Sequence, residues 1–207
     1  MNNINNKFVS LLYSTKITRE DRHRLNGHKS CVLWFTGLPG AGKSTLAAEV
    51  EKKIYQRQVR SYVLDGDNIR LGLNNDLGFS PRDRRENIRR VGEVSKMFMD
   101  AGLFVLVSFI SPYEKNRALV RSLFRPGDYV EIHVKCLLEV CEQRDPKGLY
   151  RQARLGMIKN FTGLTAPYET PLNPELTIET DKQTPEACTK QIISYLEDNG
   201  YLISCST

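Results

Sequence analysis

The stretch GLPGAGKST at residues 37–45 is the feature that most constrains the fold. It matches the pattern G-x-x-x-x-G-K-[ST], follows an apolar run of strand length at 31–36, and opens a helical stretch that continues to about Gln58. In such a loop, backbone N–H groups and the helix N-terminus bind phosphate oxygens. The alternative, a glycine-rich turn that binds no ligand, fits this pattern in this position poorly. We therefore predict a nucleoside triphosphate site.

The residue types within the loop assign roles in that site. Lys43 is predicted to reach the outer phosphates, and the Ser44 hydroxyl is predicted to bind magnesium. The predicted triphosphate-binding residues are Gly37, Leu38, Pro39, Gly40, Ala41, Gly42, Lys43, Ser44 and Thr45.

Strands and helices alternate along the rest of the chain. Apolar runs predict further strands at 61–64, 104–110, 129–135 and 176–179, and helices are predicted at 80–100, 113–124, 138–144 and 185–199. Such alternation is typical of a mostly parallel sheet with helices on both faces. We predict a three-layer α/β sandwich of the P-loop NTPase type, which binds ligands at the carboxyl ends of its strands.

The chain is predicted to form one domain with two less regular segments. Residues 1–28 are polar without a sustained period, so we predict an N-terminal arm or a short helix leading into a domain at 29–207. Between residues 145 and 174, glycines, prolines and basic residues occur without a clear period, which predicts a mobile lid.

Composition limits the partners and the compartment. The net charge of +6 indicates anionic partners, which could be nucleic acid, a membrane surface or small phosphorylated ligands. No apolar segment reaches the roughly 20 residues of a membrane span, and scattered cysteines without a C-x-x-C pair predict reduced thiols in the cytoplasm. These cysteines are Cys31, Cys136, Cys141, Cys188 and Cys205.

The stretch LDGDNIR at 64–70 places two carboxylates and a guanidinium after what the pattern predicts to be a buried strand. One carboxylate of Asp65 and Asp67 could hold magnesium, and the other could orient or deprotonate a hydroxyl acceptor. Arg70 could bind an anionic group on that acceptor. A turn that uses Asp, Gly and Asn for conformational reasons is the alternative.

The stretch SPRDRRENIRR at 80–90 reads as the start of a helix, with Ser80 as its cap and Pro81 at the first helical position. Arg84 and Asn87 share a face at a spacing of three, and one or two of the five arginines are predicted to point inward. The arginines predicted to be solvated or paired are Arg82, Arg85, Arg89 and Arg90. A nucleic-acid-binding basic helix is a rival interpretation, but no recognised nucleic-acid fold accompanies it.

These motifs together resemble the adenylylsulfate kinase family, which phosphorylates the 3′-hydroxyl of adenosine 5′-phosphosulfate with ATP. The resemblance covers about residues 17–180. The segments that carry the resemblance are LNGHKSCVLWFTGLPGAGKST, LDGDNIRLGLNNDLGFSPRDRRENIRRVGEV, FISP, EVCEQRDPKGLYRQAR, KNFTG and PYE. It implies a magnesium-dependent kinase for two small nucleotides, with no nucleic-acid or membrane partner and a possible homodimer.

The resemblance also implies roles for residues that match the family's motifs. Asp67 would meet the acceptor hydroxyl and Asp65 the metal, although the exchanged assignment stays open. Arg144 would lie near the ATP base, and Phe79 would stack on the acceptor's adenine. The implied acceptor-binding residues are Asp67, Arg70, Phe79, Arg84, Asn87, Ile110, Ser111, Lys147, Gly148, Leu149, Phe161, Thr162 and Gly163.

The sequence allows two interpretations of Ser111 in FISP. It matches a serine that is treated in some members of the family as a phosphorylated intermediate, so it is a candidate catalytic residue beside Lys43, Asp65 and Asp67. Direct in-line transfer needs no such intermediate, and the hydroxyl could instead cap the following helix.

Four positions depart from the family's usual residues. Pro39 lacks the N–H of a common serine, Leu71 replaces a histidine, Arg151 replaces a lysine, and Glu114 replaces an arginine. A carboxylate at 114 would repel anionic ligands unless it faced solvent. Pro39 and Glu114 support one alternative, a non-catalytic nucleotide-binding or regulatory subunit. A second alternative, a related kinase for another nucleotide or nucleoside, is disfavoured by the DLGFS and KNFTG stretches.

Overall fold

A single parallel sheet organises the structure, a computed structural model that describes residues 16–203. Its strand order is β2-β3-β1-β4-β5, and every adjacent pair is parallel. The predicted fold class is therefore confirmed. The strands are β1 Val32–Thr36, β2 Ser61–Asp65, β3 Phe104–Ser108, β4 Tyr129–Lys135 and β5 Leu176–Glu179.

Eight helices are present among the described residues. Those predicted after the first, second, third and last strands and at 138–144 are confirmed, with ends that shift by up to three residues. Two short helices that periodicity did not predict, at 66–71 and 149–154, border the site described below. The helices are α1 Arg19–Asn26, α2 Lys43–Gln56, α3 Gly66–Leu71, α4 Pro81–Asp100, α5 Glu114–Arg121, α6 Leu138–Arg144, α7 Leu149–Arg154 and α8 Pro185–Asp198.

The central strand shows why its sequence is apolar throughout. Leu33 and Phe35 of β1 belong to the core that includes residues of α2 and α8, whereas Val32 and Trp34 belong to the core that includes residues of α4 and α5. Side chains of a strand alternate between the two faces of the sheet, so a strand covered on both faces needs apolar residues at every position. The three layers follow from this.

The prediction of a buried strand is wrong for β2. This strand lies at the edge of the sheet and pairs with β3 alone, so Tyr62 is 52% exposed and Leu64 is its one buried residue. A short apolar run cannot by itself distinguish an edge strand from a central one. The carboxyl end of β2 nevertheless reaches the phosphate loop, as its sequence position predicted.

Part of the predicted N-terminal arm is helix α1, which Thr18 caps, and residues 1–15 lie outside the described range.

The four described cysteines are free thiols, as predicted, and Cys205 lies outside the described range. No helix in the described part of the chain is long and apolar enough to cross a membrane.

The predicted cap of α4 is confirmed and gives a test of local stability. The Ser80 hydroxyl accepts a hydrogen bond from the backbone N–H of Asp83 at 3.1 Å. Replacing Ser80 with Ala removes that acceptor and is expected to lower the free energy of unfolding by about 1 kcal/mol. Urea unfolding measures the change. Ser80→Thr keeps the hydroxyl and is the control, so equal stabilities of the two variants would contradict the capping role.

Candidate active site

The phosphate loop joins β1 to α2 in a conformation that its glycines permit. Gly40 and Gly42 have φ angles of 74° and 93°, in the left-handed region that favours glycine. A Cβ at Gly40 would lie 2.9 Å from the backbone oxygen of Cys141, so the loop also packs too closely on α6 for a side chain there. Lys43, which is buried, donates a hydrogen bond from Nζ to the backbone oxygen of Leu38 at 2.8 Å.

Two other side chains brace the same loop from distant parts of the chain. The Tyr150 hydroxyl donates to the backbone oxygen of Pro39 at 2.9 Å, and the Thr180 hydroxyl donates to that of Ala41 at 2.8 Å. Arg144 in turn donates to the backbone oxygen of Thr180 at 2.6 Å. Pro39 thus contributes a carbonyl to the bracing network although it has no N–H to offer a phosphate.

Burial lowers the pKa of Lys43 to about 8, because a charged ammonium is poorly solvated there. Only the protonated form can neutralise phosphate charge, and its fraction falls as the pH rises through the pKa. We therefore expect kcat/KM for ATP, which reports the free enzyme, to fall above about pH 8. A pH profile to about 9.5 measures this limb, and a flat profile would contradict the assignment.

A cluster of oxygen ligands lies at the carboxyl ends of β2 and β3. The Ser44 hydroxyl donates to Oδ2 of Asp65 at 2.7 Å and lies 3.1 Å from the Ser108 hydroxyl. Oδ1 of Asp65 accepts the backbone N–H of Asp67 at 3.0 Å, which caps α3. Magnesium prefers oxygen ligands and is commonly held by one or two carboxylates together with substrate phosphates. The donors present therefore fit this ion.

A second group of predicted site residues is basic and aromatic. The Arg70 guanidinium lies 4.4 Å from the centroid of the Phe79 ring, and that of Arg84 lies 5.9 Å from it. Burial lowers the pKa of both guanidinium groups, which indicates partial desolvation. Asn87 is buried and accepts a hydrogen bond from the side-chain amide of Asn74 at 2.9 Å. This arrangement can bind an aromatic base and anionic groups together.

The predicted lid contacts residues of both groups, the carboxylates and the arginine–aromatic cluster. The Lys147 ammonium forms an ion pair with the Asp67 carboxylate. Arg84 donates to the backbone oxygen of Asn160 at 2.9 Å and to the Thr162 hydroxyl at 3.1 Å. The segment around 146–162 therefore covers the groups that the sequence assigned to the reaction.

The far end of the predicted lid is held differently. Glu169 donates its backbone N–H to the backbone oxygen of Pro112 at 2.8 Å, and its carboxylate accepts the N–H of Glu114 at 2.6 Å. The buried Arg117 donates to the backbone oxygen of Glu169 at 2.7 Å. These bonds tie residue 169, near the end of the predicted lid, to the turn after β3.

The phosphate loop, the Asp65 and Asp67 carboxylates, the arginine–aromatic cluster and part of the predicted lid line one cavity of about 900 Å³. This volume is near the upper end of the roughly 300–1,000 Å³ typical of small-molecule sites. The predicted residues that line it are Pro39, Gly40, Gly42, Lys43, Ser44, Thr45, Asp65, Asp67, Arg70, Phe79, Arg84, Asn87, Ile110, Ser111, Arg144, Lys147, Leu149, Phe161 and Thr162.

Five predicted site residues do not line this cavity: Gly37, Leu38, Ala41, Gly148 and Gly163. Two of these glycines have structural reasons instead. A Cβ at Gly37 would lie 2.4 Å from the backbone oxygen of Val134, and one at Gly163 would lie 2.9 Å from a methyl of Leu38. The close approach of a backbone atom explains Gly37 without a ligand, and a φ of 93° in the left-handed region explains Gly163.

The environment of Ser111 excludes one of its two sequence interpretations. Its hydroxyl accepts from Nε1 of Trp34 at 3.1 Å and donates to the Thr36 hydroxyl at 2.9 Å. The N-cap of α5 is Tyr113, and no side chain caps that helix, so the helix-capping interpretation is wrong. Ser111 is buried at the cavity wall, and its hydroxyl is committed to a polar network.

The Glu114 carboxylate is not placed to repel anionic ligands in the cavity. Its carboxylate forms an ion pair with the buried Arg117, and the residue does not line the cavity. Nε of Arg117 also lies 2.9 Å from Glu131. Leu71, another departure from the family pattern, is 82% exposed at the end of α3.

Several residues at the site were missed by the sequence analysis. Ser108 and Thr180 lie at the carboxyl edge of the sheet, where β3 ends and just after β5 ends. The strand-end rule that selected Asp65 would have selected both. Tyr150 and Asn74 have no comparable signal, because only the tertiary fold brings them to Pro39 and Asn87.

A phosphate loop that joins the central strand of a parallel sheet to a helix, at a cavity lined by carboxylates and arginines, is the arrangement of an ATP-dependent P-loop kinase. The chain belongs to the adenylylsulfate kinase family: residues 29–179 match the family described as adenylylsulphate kinase.

Relatives and solved structures agree with this membership. The chain is 54% identical over 198 residues to the adenylyl-sulfate kinase of Oceanobacillus iheyensis, covering 95% of this chain and 100% of that one. It is 58% identical to that of Thermodesulfovibrio yellowstonii, covering 90% and 94%. The structure of the Mycobacterium tuberculosis APS kinase in complex with AMPPNP and APS matches with a TM-score of 0.79 and 45% identity, covering 82% and 99%.

Proposed function

We propose that this protein transfers the γ-phosphate of ATP to the 3′-hydroxyl of adenosine 5′-phosphosulfate, giving 3′-phosphoadenylylsulfate and ADP. The observation that carries the proposal is one continuous cavity lined by both the phosphate loop and an arginine–aromatic cluster. Two nucleotides can meet there under one lid. Membership of the family and the complex of its mycobacterial relative with AMPPNP and APS support this choice of substrates.

The proton of the acceptor hydroxyl needs a base, and we assign that role to Asp67. The hydroxyl oxygen would attack the γ-phosphorus in line, its proton would pass to the Asp67 carboxylate, and the bond to the ADP oxygen would break. The Lys147 ammonium pairs with the same carboxylate, so anionic groups of the acceptor would have to attract that ammonium before Asp67 could accept the proton. Movement of Lys147, which lies in the lid, would then free the base.

The developing charge on the transferred group is assigned to the phosphate loop. Lys43 and the N-terminus of α2 would stabilise it. We propose that Ser44 and Asp65 hold magnesium, which when bound would neutralise phosphate charge. Arg144 would lie at the ATP base, since it lines the same cavity beside Thr180.

Acceptor binding is assigned to the arginine–aromatic cluster. Phe79 would stack on the adenine, and Arg70 and Arg84 would pair with the phosphosulfate. Arg84 also bonds the backbone of Asn160 in the lid, so acceptor binding and lid position are linked through one side chain. Exclusion of water by the lid would limit wasteful hydrolysis of ATP.

For Ser111 we propose a structural role in direct transfer, not a phosphorylated intermediate. Its hydroxyl already bonds Trp34 and Thr36, and becoming phosphorylated would break a buried network. Retention of transfer in Ser111→Ala would agree with this assignment.

The regulatory-subunit alternative loses its support in the structure. Glu114 pairs with Arg117 outside the cavity, and Pro39 serves the loop through its carbonyl. We place the reaction in the cytoplasm as a step of sulfate activation, and a homodimer stays a prediction. An APS kinase of Thiobacillus denitrificans that is 30% identical to this chain is described as hexameric.

A product assay tests the proposed function. Purified protein is incubated with magnesium, ATP and adenosine 5′-phosphosulfate, with AMP and adenosine as rival acceptors, and the nucleotides are resolved by chromatography. We expect 3′-phosphoadenylylsulfate as the only phosphorylated acceptor product. Phosphorylation of AMP or adenosine instead would favour a kinase for another acceptor, and ATP binding without any transfer would favour the regulatory subunit.

A further inference from the structure

Ser108 is a buried hydroxyl at the reaction centre to which neither the motifs nor the proposed function assigns a role. It is the last residue of β3, is 3% exposed and lines the cavity. Its register partner on β2 is Asp65. The strand order places β3 between β1, which carries the phosphate loop, and β2, which carries this carboxylate. Ser108 is thus next to both.

This arrangement adds a hydroxyl to the general pattern of P-loop enzymes. There, the magnesium ion is held by the loop's Ser or Thr and by an Asp from another strand end. In this chain Asp65 ends β2, and Ser108 ends β3, the strand between β2 and β1. The hydroxyl of Ser108 lies 3.1 Å from the Ser44 hydroxyl, which also bonds Asp65.

The donors and acceptors in this cluster fix the direction of each bond. A serine hydroxyl has one proton to donate and two lone pairs that accept. The proton of Ser44 goes to Oδ2 of Asp65 at 2.7 Å, since a carboxylate only accepts. In the contact between the two serines, Ser108 must therefore donate to Ser44. One lone pair of Ser44 is then used, and one is left.

We propose that Ser108 is a positioning residue for magnesium-bound ATP. Its hydrogen bond holds the Ser44 hydroxyl in the one rotational state that donates to Asp65 and keeps a lone pair free for the cation. Without that bond the Ser44 hydroxyl can rotate. Fixing its orientation when the metal binds then costs free energy, and this lowers the affinity for the metal. The inference rests on the magnesium site of the proposed function, but it concerns nucleotide binding and needs no acceptor.

The test compares the affinity for ATP with excess magnesium and with a chelator, by calorimetry. The ratio of the two affinities is the magnesium coupling. Ser108→Ala is expected to reduce this ratio about threefold to tenfold, the range for one lost hydrogen bond. Affinity for metal-free ATP should stay within about twofold, because the loop and Lys43 remain intact. Manganese binding, followed by electron paramagnetic resonance in the presence of ATP, should weaken in parallel.

Two further variants separate positioning from general packing. Ser108→Thr keeps the hydroxyl and should restore the coupling. Ser95→Ala removes another buried serine hydroxyl, which bonds the backbone of Val91 within α4 and does not line the cavity, and should leave the coupling unchanged. An unchanged coupling in Ser108→Ala, or an equal loss of affinity with and without magnesium, would overturn the proposal. If the variants changed the magnesium coupling as expected but the unmodified protein phosphorylated no acceptor, the role of Ser108 would stand and the proposed reaction would be refuted.

Discussion

Replacing Asp67 with Asn is expected to lower kcat by about 10²- to 10⁴-fold, the usual contribution of a general base. The amide keeps the size of the side chain but cannot accept the proton of the acceptor hydroxyl. Affinity for ATP should be nearly unchanged, because Asp67 bonds neither the loop nor the Ser44 hydroxyl directly. Steady-state kinetics with saturating substrates and calorimetric titration with ATP measure the two effects separately.

The matched variants decide between the two carboxylates. Asp65→Asn should weaken the magnesium coupling of ATP binding, since Asp65 accepts the Ser44 proton. Asp76→Asn changes an exposed carboxylate that pairs with Arg90 and does not line the cavity, so its activity should equal that of the unmodified protein. If Asp65→Asn lost the base function and Asp67→Asn lost the metal dependence, the two roles would be exchanged. Normal turnover in Asp67→Asn would remove it from the reaction.

Replacing Lys43 with Met is expected to lower kcat by about 10³-fold, similar to the loss of one charge-stabilising donor in an enzyme site. Met retains most of the apolar length of the side chain but carries no charge to meet the γ-phosphate. The loss should appear in kcat and not only in KM for ATP, because negative charge on the transferred group is stabilised most strongly in the transition state.

Two controls for Lys43→Met measure its thermal stability and the pH dependence of its activity. Thermal unfolding should show no loss of stability in Lys43→Met, because Lys43 is a buried ammonium whose charged form is penalised by desolvation. The alkaline limb above about pH 8 should disappear from its pH profile. Lys53→Met, an exposed position at the other end of α2, should behave like the unmodified protein. An alkaline limb that persisted in Lys43→Met would assign that titration to another group.

Much of the site was predictable because its signals are local. The phosphate loop needs left-handed glycines followed at once by a helix, and both requirements are visible within nine residues. Ser80 caps α4 as predicted, since a cap and its partner are three residues apart. The positions of Asp65 and Arg84 followed from a strand end and a helical spacing, and both line the cavity.

The errors have a common origin in non-local contacts. Whether β2 lies at an edge depends on which strand pairs beside it, and its five residues do not encode that. The helices α3 and α7 have six residues each, too few for a periodic signal, and α7 is capped by Asp145 from four residues before its start. Glu114 looked harmful in sequence because its partner Arg117 was not recognised as a buried cation.

The sequence by itself determined the α/β class, the triphosphate loop, the main helix boundaries and the family, because each depends on residues close together in the chain. The tertiary structure alone decided the strand order, the lid contacts and the cluster of Ser44, Asp65 and Ser108. Parallel strands are joined by long crossovers, so their ends meet from positions far apart in sequence. The chemistry of this site is assembled at those strand ends, where local patterns supply the side chains and packing decides which of them meet.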